Sequence, residues 1–343
     1  MLDIKDYTLK ELADEFISLG AKSFHAKQAW SWMYKKGVLD FGLMSDLPKV
    51  LKLKLGDKFY ILGLNALKEF KSADRTQKLL LKARDGNCFE AVVIPAQDRV
   101  TGCVSSQAGC KFSCSFCASG VIGFKRNLGA GEIIEEVLFL KSAAPGNCLT
   151  HLVFMGTGEP LDNYANLIKA IRVINAREGL NIGARRITIS TCGIIPGIEQ
   201  LSREGLQVEL SVSLHAAEDK LRSKIMPVNR KYPLAQLLSA CKEYSGKTNR
   251  QVTFEYTLIK GLNSSLKDAA NLAGLLAGFK LSKVNLIPAN AIKELKIEPA
   301  DEASVAAFKG LLKKRGVNVT LRRERGSDIN AACGQLRLNY AKA

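Results

Sequence analysis

From Arg99 onward the sequence alternates short apolar runs with longer amphipathic ones, and this alternation restricts the fold more than any other feature. The short runs are Val100–Ser105, His151–Met155, Arg186–Ser190, Gln207–Leu214, Gln251–Leu258, Lys283–Ile287 and Val317–Arg322. Each has strand length, and near-continuous apolar character predicts strands buried on both faces. Between them, Glu132–Lys141, Tyr164–Arg177, Leu234–Tyr244, Leu266–Leu276 and Ser304–Lys314 carry apolar residues at helical spacing. Repeated strand–helix units predict a parallel sheet with helices outside, and their number suits a partial or full β/α barrel. Such barrels carry their chemistry where the strands end. The expected class is therefore α/β, with the barrel over 98–343.

Two smaller regions precede the barrel. Thr8 to Glu11 reads as a capping box ahead of Leu12, Phe16 and Leu19, and Gly20 stops that helix. A second helical run covers Ala26 to Lys36, so residues 1–57 read as a helical accessory domain. Its lysines beside Trp30 and Trp32 leave two readings open, RNA contact or core packing. Residues 58–97 change to a strand period, with Asp85-Gly86 as a hairpin turn between Leu79–Arg84 and Cys88–Ile94, so a small antiparallel subdomain is expected.

Cys110, Cys114 and Cys117 form a C-x3-C-x2-C triplet in the loop after the first barrel strand. Structural zinc takes four ligands, usually in pairs, and this triplet is one short. A four-iron cubane held by three thiolates keeps one iron open to another ligand. Phe116, just before the third cysteine, adds apolar cover to the sulfurs. After the second strand comes Met155-Gly-Thr-Gly-Glu-Pro160, whose paired glycines permit close backbone approach and whose Glu159 puts a carboxylate at the rim. Ser190, Ser213-Leu214-His215 and Asn290 stand at or just past further strand ends, where short polar groups can bind a ribose, a carboxylate or a base edge. Near the C-terminus, Cys333 lies among glycine and alanine, which leave a thiol unshielded.

Composition narrows the partner and the compartment. The net charge is +17, from 50 Lys and Arg against 33 Asp and Glu, which favours a polyanionic partner such as nucleic acid. Nine Lys and Arg fall between Lys309 and Ala343, opposed by Glu324 and Asp328. Hydrophobic content of 47% can fill a large core, yet no apolar run is long enough to span a bilayer, and the first residues are not a secretory signal. A reducing, cytoplasmic compartment is expected, in which nine cysteines serve as ligands, nucleophiles or small core residues. Nothing demands more than a monomer.

The segments Cys103–Cys110, the triplet, Met155–Leu161, Ser211–Ala216, Val284–Pro288 and Asp328–Gln335 occur in order, and together they resemble the RlmN/Cfr family of radical S-adenosylmethionine (SAM) RNA methyltransferases. The likeness covers nearly the whole chain, including the N-terminal helical part. Thr157 departs from it, standing where the family often has methionine.

The resemblance implies a partial barrel of the radical SAM type and a [4Fe-4S] cluster on Cys110, Cys114 and Cys117. It implies SAM contacts from Gly158, Glu159, Ser190, Ser213, Leu214, His215 and Asn290, with two SAM molecules used per turnover. It implies methylation at C2 of adenosine in 23S ribosomal RNA and in transfer RNA, with a reducing partner such as flavodoxin. C2 is an aromatic C–H carbon without a lone pair, so a radical route is required. In the implied mechanism Cys333 takes a methyl group from one SAM by displacement. A 5′-deoxyadenosyl radical from a second SAM abstracts hydrogen from that methyl, and the methylene radical adds to adenine C2. Glu90, on an otherwise apolar strand, removes the C2 proton, and Cys103 forms a disulfide with Cys333 as the crosslink breaks. Two alternatives stand beside this: C8 methylation of the same adenosine, and a non-catalytic RNA-binding protein with zinc completed by Cys88 or Cys103.

Overall fold

The computed structural model describes residues 1–290, 297–322 and 324–336. At the N-terminus, strand β1 (Leu2–Asp3) is followed by helices α1 (Leu9–Ser18), α2 (Ser23–Tyr34) and α3 (Lys49–Lys58), and β2 (Phe59–Tyr60) pairs in parallel with β1. The expected capping box is present, with Thr8 and Glu11 each bonding the other's backbone amide. Trp30 is buried against Tyr34, whereas Trp32 is half-buried, donates its indole N–H to Asp46 at 2.6 Å and lies under Lys36. Lys5 is fully buried beside Asp3 (2.7 Å) and Glu135 (3.1 Å) and also donates to the Ile61 carbonyl, tying this unit to the barrel.

Next come β3 (Leu64–Lys71), β4 (Gln77–Ala83), β5 (Cys88–Pro95) and β6 (Val100–Cys103), each antiparallel to the one before. The chain continues through β7 (Gln107–Ala108), α4 (Ala118–Ile122), β8 (Arg126–Asn127) and α5 (Ala130–Ala143). The barrel is completed by β9 (His151–Phe154), α6 (Tyr164–Asn175), β10 (Ile187–Thr191), α7 (Ile195–Leu201), β11 (Glu209–Ser213), α8 (Asp219–Ile225), α9 (Leu234–Thr248), β12 (Val252–Leu258), α10 (Leu266–Leu275), β13 (Ser282–Pro288), α11 (Glu302–Lys314) and β14 (Val319–Leu321).

One ten-stranded sheet runs in the order β14-β13-β12-β11-β10-β9-β6-β5-β4-β3. From β6 to β14 its neighbours are parallel, which is the partial β/α barrel. The antiparallel segment joins the same sheet, because β5 pairs with β6 through Val92 opposite Cys103.

The strands differ from expectation in their inner face. Leu210, Val212, Phe254 and Tyr256 are buried in the main core, but the alternate residues Ser211, Ser213, Thr253, Glu255 and Thr257 line two internal cavities. A strand turns successive side chains to opposite faces, so β11 and β12 are apolar outward and polar inward. Burying each outward Phe, Leu or Ile contributes roughly 1.5–3 kcal/mol. The polar inner face leaves a hollow that the helices do not fill. No described helix is long and apolar enough to cross a membrane.

Candidate active site

The three cysteines sit in a loop whose base is closed by β7 pairing with β8. Gly109, at φ +80°, lies against this loop's far end so closely that a Cβ there would meet the Gly123 carbonyl oxygen at 1.7 Å. The Ser115 amide bonds the Ile225 carbonyl at the end of α8, and the Ala118 amide bonds the Gly334 carbonyl. All three cysteines line one cavity of about 170 Å³. Burial pushes the Cys110 thiol up to about 12 and raises Cys114 and Cys117 as well, with mutual repulsion adding to it. These thiols hold a proton unless a cationic centre replaces it, which is what a metal cluster does.

Among the described residues no such side chains close around a single ion, whereas a cubane spreads its ligands over several irons. Cys88 lies at the β4–β5 turn near Gly86, and Cys103 packs with Val92 and Ala331, so neither lines the triplet's cavity. The donor set therefore fits a cluster of three thiolates better than zinc completed by either.

The same cavity collects most of the residues singled out from the sequence: Gly158, Glu159, Ser190, Ser213, His215, Asn290 and Cys333. Cys103 and Glu90 do not line it, and neither does Leu214. Its side chain is in the main core and its carbonyl accepts from Arg222. Glu159 is buried, and its carboxylate accepts from the Leu161 amide at 3.0 Å and the Cys192 amide at 2.7 Å. Burial raises its pKa, and these amides pull it down.

The glycines of this segment are crowded by protein. A Cβ on Gly156 would meet Ser105 Oγ at 2.6 Å, and one on Gly158 would meet Gln107 Cβ at 2.5 Å. Thr157 sits in that crossing, with its amide on Ser105 Oγ and its carbonyl taking the Ser106 and Gln107 amides.

His215 has φ +54° and is buried with its ring edge-on to Phe116 at 4.6 Å. Its Nδ1 accepts from the Thr257 amide at 3.0 Å, which leaves the proton on Nε2. Burial lowers its pKa to about 3, so the ring is a neutral donor rather than a titrating base. Asn290 donates to the Cys333 carbonyl at 2.8 Å and so orients the C-terminal loop.

A second cavity, of about 650 Å³, occupies the other end of the barrel. Thr101, Thr188, Thr253 and Lys283, near the strand starts, line it together with Cys103, Cys333 and Arg322. Cys333 and Arg322 also line the first cavity. Burial pushes the Cys103 thiol up to about 12, and the neighbouring Cys333 adds to this. The neighbouring Cys333 raises the Arg322 pKa further above its ordinary value. Glu90 on β5 is buried and paired with Lys78 at 3.0 Å. It shares the sheet face of Val92, which packs with Cys103. The Cys333 loop is bound on its far side by the β3–β4 turn, through Asp328 to Ser72 Oγ (2.6 Å) and the Gly326 amide to Asp74 (3.1 Å).

Sequence reasoning missed three residues at this site. Gln107 donates to Asn127 and Asp162 and accepts from the Glu159 amide. Arg222 fastens the ends of β10 and β11, and Arg322 spans the two cavities. Gln107 lay three residues before the triplet as a visible polar signal, whereas nothing local marked the two arginines.

This architecture, with three thiols over the strand ends of a partial barrel, defines a radical SAM enzyme, and the Radical SAM superfamily profile matches residues 104–273. Residues 2–61 match the ribosomal RNA large subunit methyltransferase N-terminal domain. Probable dual-specificity RNA methyltransferases RlmN from Clostridium perfringens (strain SM101 / Type A) and Thermoanaerobacter sp. (strain X514) are 45% and 44% identical to it, each over 100% of this chain and 99% of the relative. The crystal structure of a radical SAM methyltransferase from Sphaerobacter thermophilus superposes with TM-score 0.95 at 42% identity, covering 98% of this chain and 99% of that one. The chain belongs to the RlmN family of radical SAM RNA methyltransferases.

Proposed function

We propose that this enzyme methylates C2 of adenosine in 23S ribosomal RNA and in transfer RNA, through a methyl group carried on Cys333. The observation that carries the reading is the position of Cys333, whose residue lines both the cavity of the cysteine triplet and the larger cavity that holds Cys103. One thiol there can be methylated from one side and present the methyl to a nucleobase on the other.

Cys110, Cys114 and Cys117 would hold a [4Fe-4S] cluster, which together with SAM supplies a 5′-deoxyadenosyl radical when bound; two SAM molecules are used per turnover. Glu159 offers its remaining lone pairs to the SAM ammonium. His215 offers an Nε2–H, and Ser190, Ser213 and Asn290 offer short polar groups at the strand ends. Cys333 acts as the nucleophile toward the SAM methyl, and Arg322 lines both cavities beside it. Glu90, held by Lys78, takes the proton from C2. Cys103, whose thiol burial holds protonated, gives up that proton as its sulfur attacks the Cys333 sulfur; the S–S bond forms, the Cys333 S–CH2 bond breaks, and the methylene carbon leaves with the electron pair and takes a proton to become the product methyl.

The N-terminal helical unit and the basic surface supply RNA contacts, and a low-potential carrier such as flavodoxin supplies electrons. The reading places the enzyme in the cytoplasm as a monomer. The test is substitution in the reconstituted enzyme. Cys333→Ala yields no methylated RNA, and Cys103→Ala accumulates a protein–RNA crosslink seen as a shifted band. Full turnover by either variant overturns the methylcysteine route.

A further inference from the structure

Arg222 on α8 has none of its surface exposed. A guanidinium keeps its charge in proteins, and a buried charge is costly unless an opposite charge answers it. Arg222 donates from Nε to the Leu214 carbonyl at 3.1 Å and from Nη1 to Asn229 Oδ1 at 2.8 Å. Its Nη2 donates to the carbonyls of Cys192 at 2.7 Å and Ser213 at 2.9 Å. Every one of these acceptors is a neutral oxygen. Among the described residues no carboxylate hydrogen-bonds Arg222. Asp219 is exposed and one amide removed, since Asn229 gives its Nδ2 to Asp219 Oδ1 at 2.8 Å.

The cysteine loop lies against the helix that carries this charge, because the Ile225 carbonyl at the end of α8 accepts from the Ser115 amide at 2.9 Å, between two of the three cysteines. Phe112, Cys114 and Phe116 also pack on Cys192, Ile225 and Met226. The helix that carries the cation is thus part of the wall of the cysteine loop.

We infer that Arg222 is the counter-charge of the anionic cluster held by Cys110, Cys114 and Cys117, and that it makes one-electron reduction of that cluster easier while fixing the SAM-binding ends of β10 and β11. The inference rests on the cluster reading proposed above. Three thiolates make such a cluster negative, and an added electron makes it more so. A buried cation, little screened by water or salt, lowers the cost of that electron. The electron comes from a low-potential one-electron carrier, and no proton need accompany it. Lysine would keep the charge but lacks the planar fork that joins three carbonyls.

The test is a redox titration of the anaerobically reconstituted full chain, with dithionite and mediators, followed by visible absorbance and electron paramagnetic resonance. Wild type is compared with Arg222→Gln, Arg222→Lys and Asn229→Asp, the last placing a carboxylate on Arg222 Nη1. At the wild-type midpoint, Arg222→Gln and Asn229→Asp are expected to lower the reduced-to-oxidised ratio about tenfold, a shift of about 59 mV for one electron. Arg222→Lys is expected to stay near wild type in midpoint while SAM affinity falls.

A purely structural role would lower stability and SAM affinity but leave the midpoint in place. Unchanged midpoints in Arg222→Gln and Asn229→Asp with full iron content would overturn the inference. If Arg222→Gln fails to hold iron, Asn229→Asp decides. A wild type with no reducible cluster would instead sink the cluster reading, and this inference with it.

Discussion

Replacing Gly158 with alanine tests how the SAM-side loop is built. A Cβ at this position would lie 2.5 Å from Gln107 Cβ, 2.8 Å from its Cγ and 2.9 Å from its backbone N. Carbon atoms prefer separations of about 3.5–4.0 Å, so something must move by roughly 1 Å. Gln107 is poorly able to yield. Its side chain bonds Asn127, Asp162 and the Glu159 amide, and its own amide bonds the Thr157 carbonyl. Gly158 also sits at φ +105°, which an L-residue resists. Overpacking costs about 1–3 kcal/mol, and the backbone adds about 1–2 kcal/mol, for a total of about 2–5 kcal/mol.

Urea unfolding of the metal-free protein measures this, with Gly183→Ala as the control. Gly183 has φ −59° and nothing within 4 Å of an added Cβ. The control is expected to stay within about 0.5 kcal/mol of wild type. Because the Glu159 amide hangs on Gln107, SAM affinity should fall in Gly158→Ala as well. A Gly158→Ala protein as stable as Gly183→Ala would refute the crowding argument.

Other perturbations probe other parts of the structure. Lys5→Met leaves the buried carboxylates of Asp3 and Glu135 without their cation and should cost about 3–5 kcal/mol in urea unfolding. His215 is held neutral by burial with its pKa down at about 3, so the unfolded chain gains a proton that the folded ring refuses as pH falls below 6.5. Wild type should therefore lose stability relative to His215→Asn between pH 6.5 and 3, by up to about 1.4 kcal/mol per pH unit, with the difference constant above 7. Asparagine tolerates the φ of +54° at this position, and a flat difference curve would contradict the neutral state assigned to His215.

The parallel order was legible because period and length alone separate strand from helix, and all seven expected strands are present. The cysteine triplet and the Gly-Thr-Gly-Glu segment were legible because ligand spacing and strand-end placement are local properties, whereas Cys333 stood out only through the family resemblance. Four things were not. The hollow inside the sheet depends on which face of β11 and β12 turns inward, and short apolar runs hide that parity. The membership of β3–β5 in the main sheet is a pairing between Val92 and Cys103 that no local pattern announces. The glycines at 156 and 158 suggested ligand approach, but their crowding by Ser105 and Gln107 needs a contact some fifty residues back along the chain. Arg222 is one of 50 Lys and Arg in the sequence, and only its burial separates it from a solvated surface charge.

The central claim is carbon methylation at adenine C2 by way of Cys333. Mass spectrometry of nucleosides from 23S ribosomal RNA treated with reconstituted enzyme, SAM and reductant tests it most directly. Wild type is expected to give 2-methyladenosine and Cys333→Ala none; 8-methyladenosine, or product from the variant, would rule out transfer to C2 through Cys333.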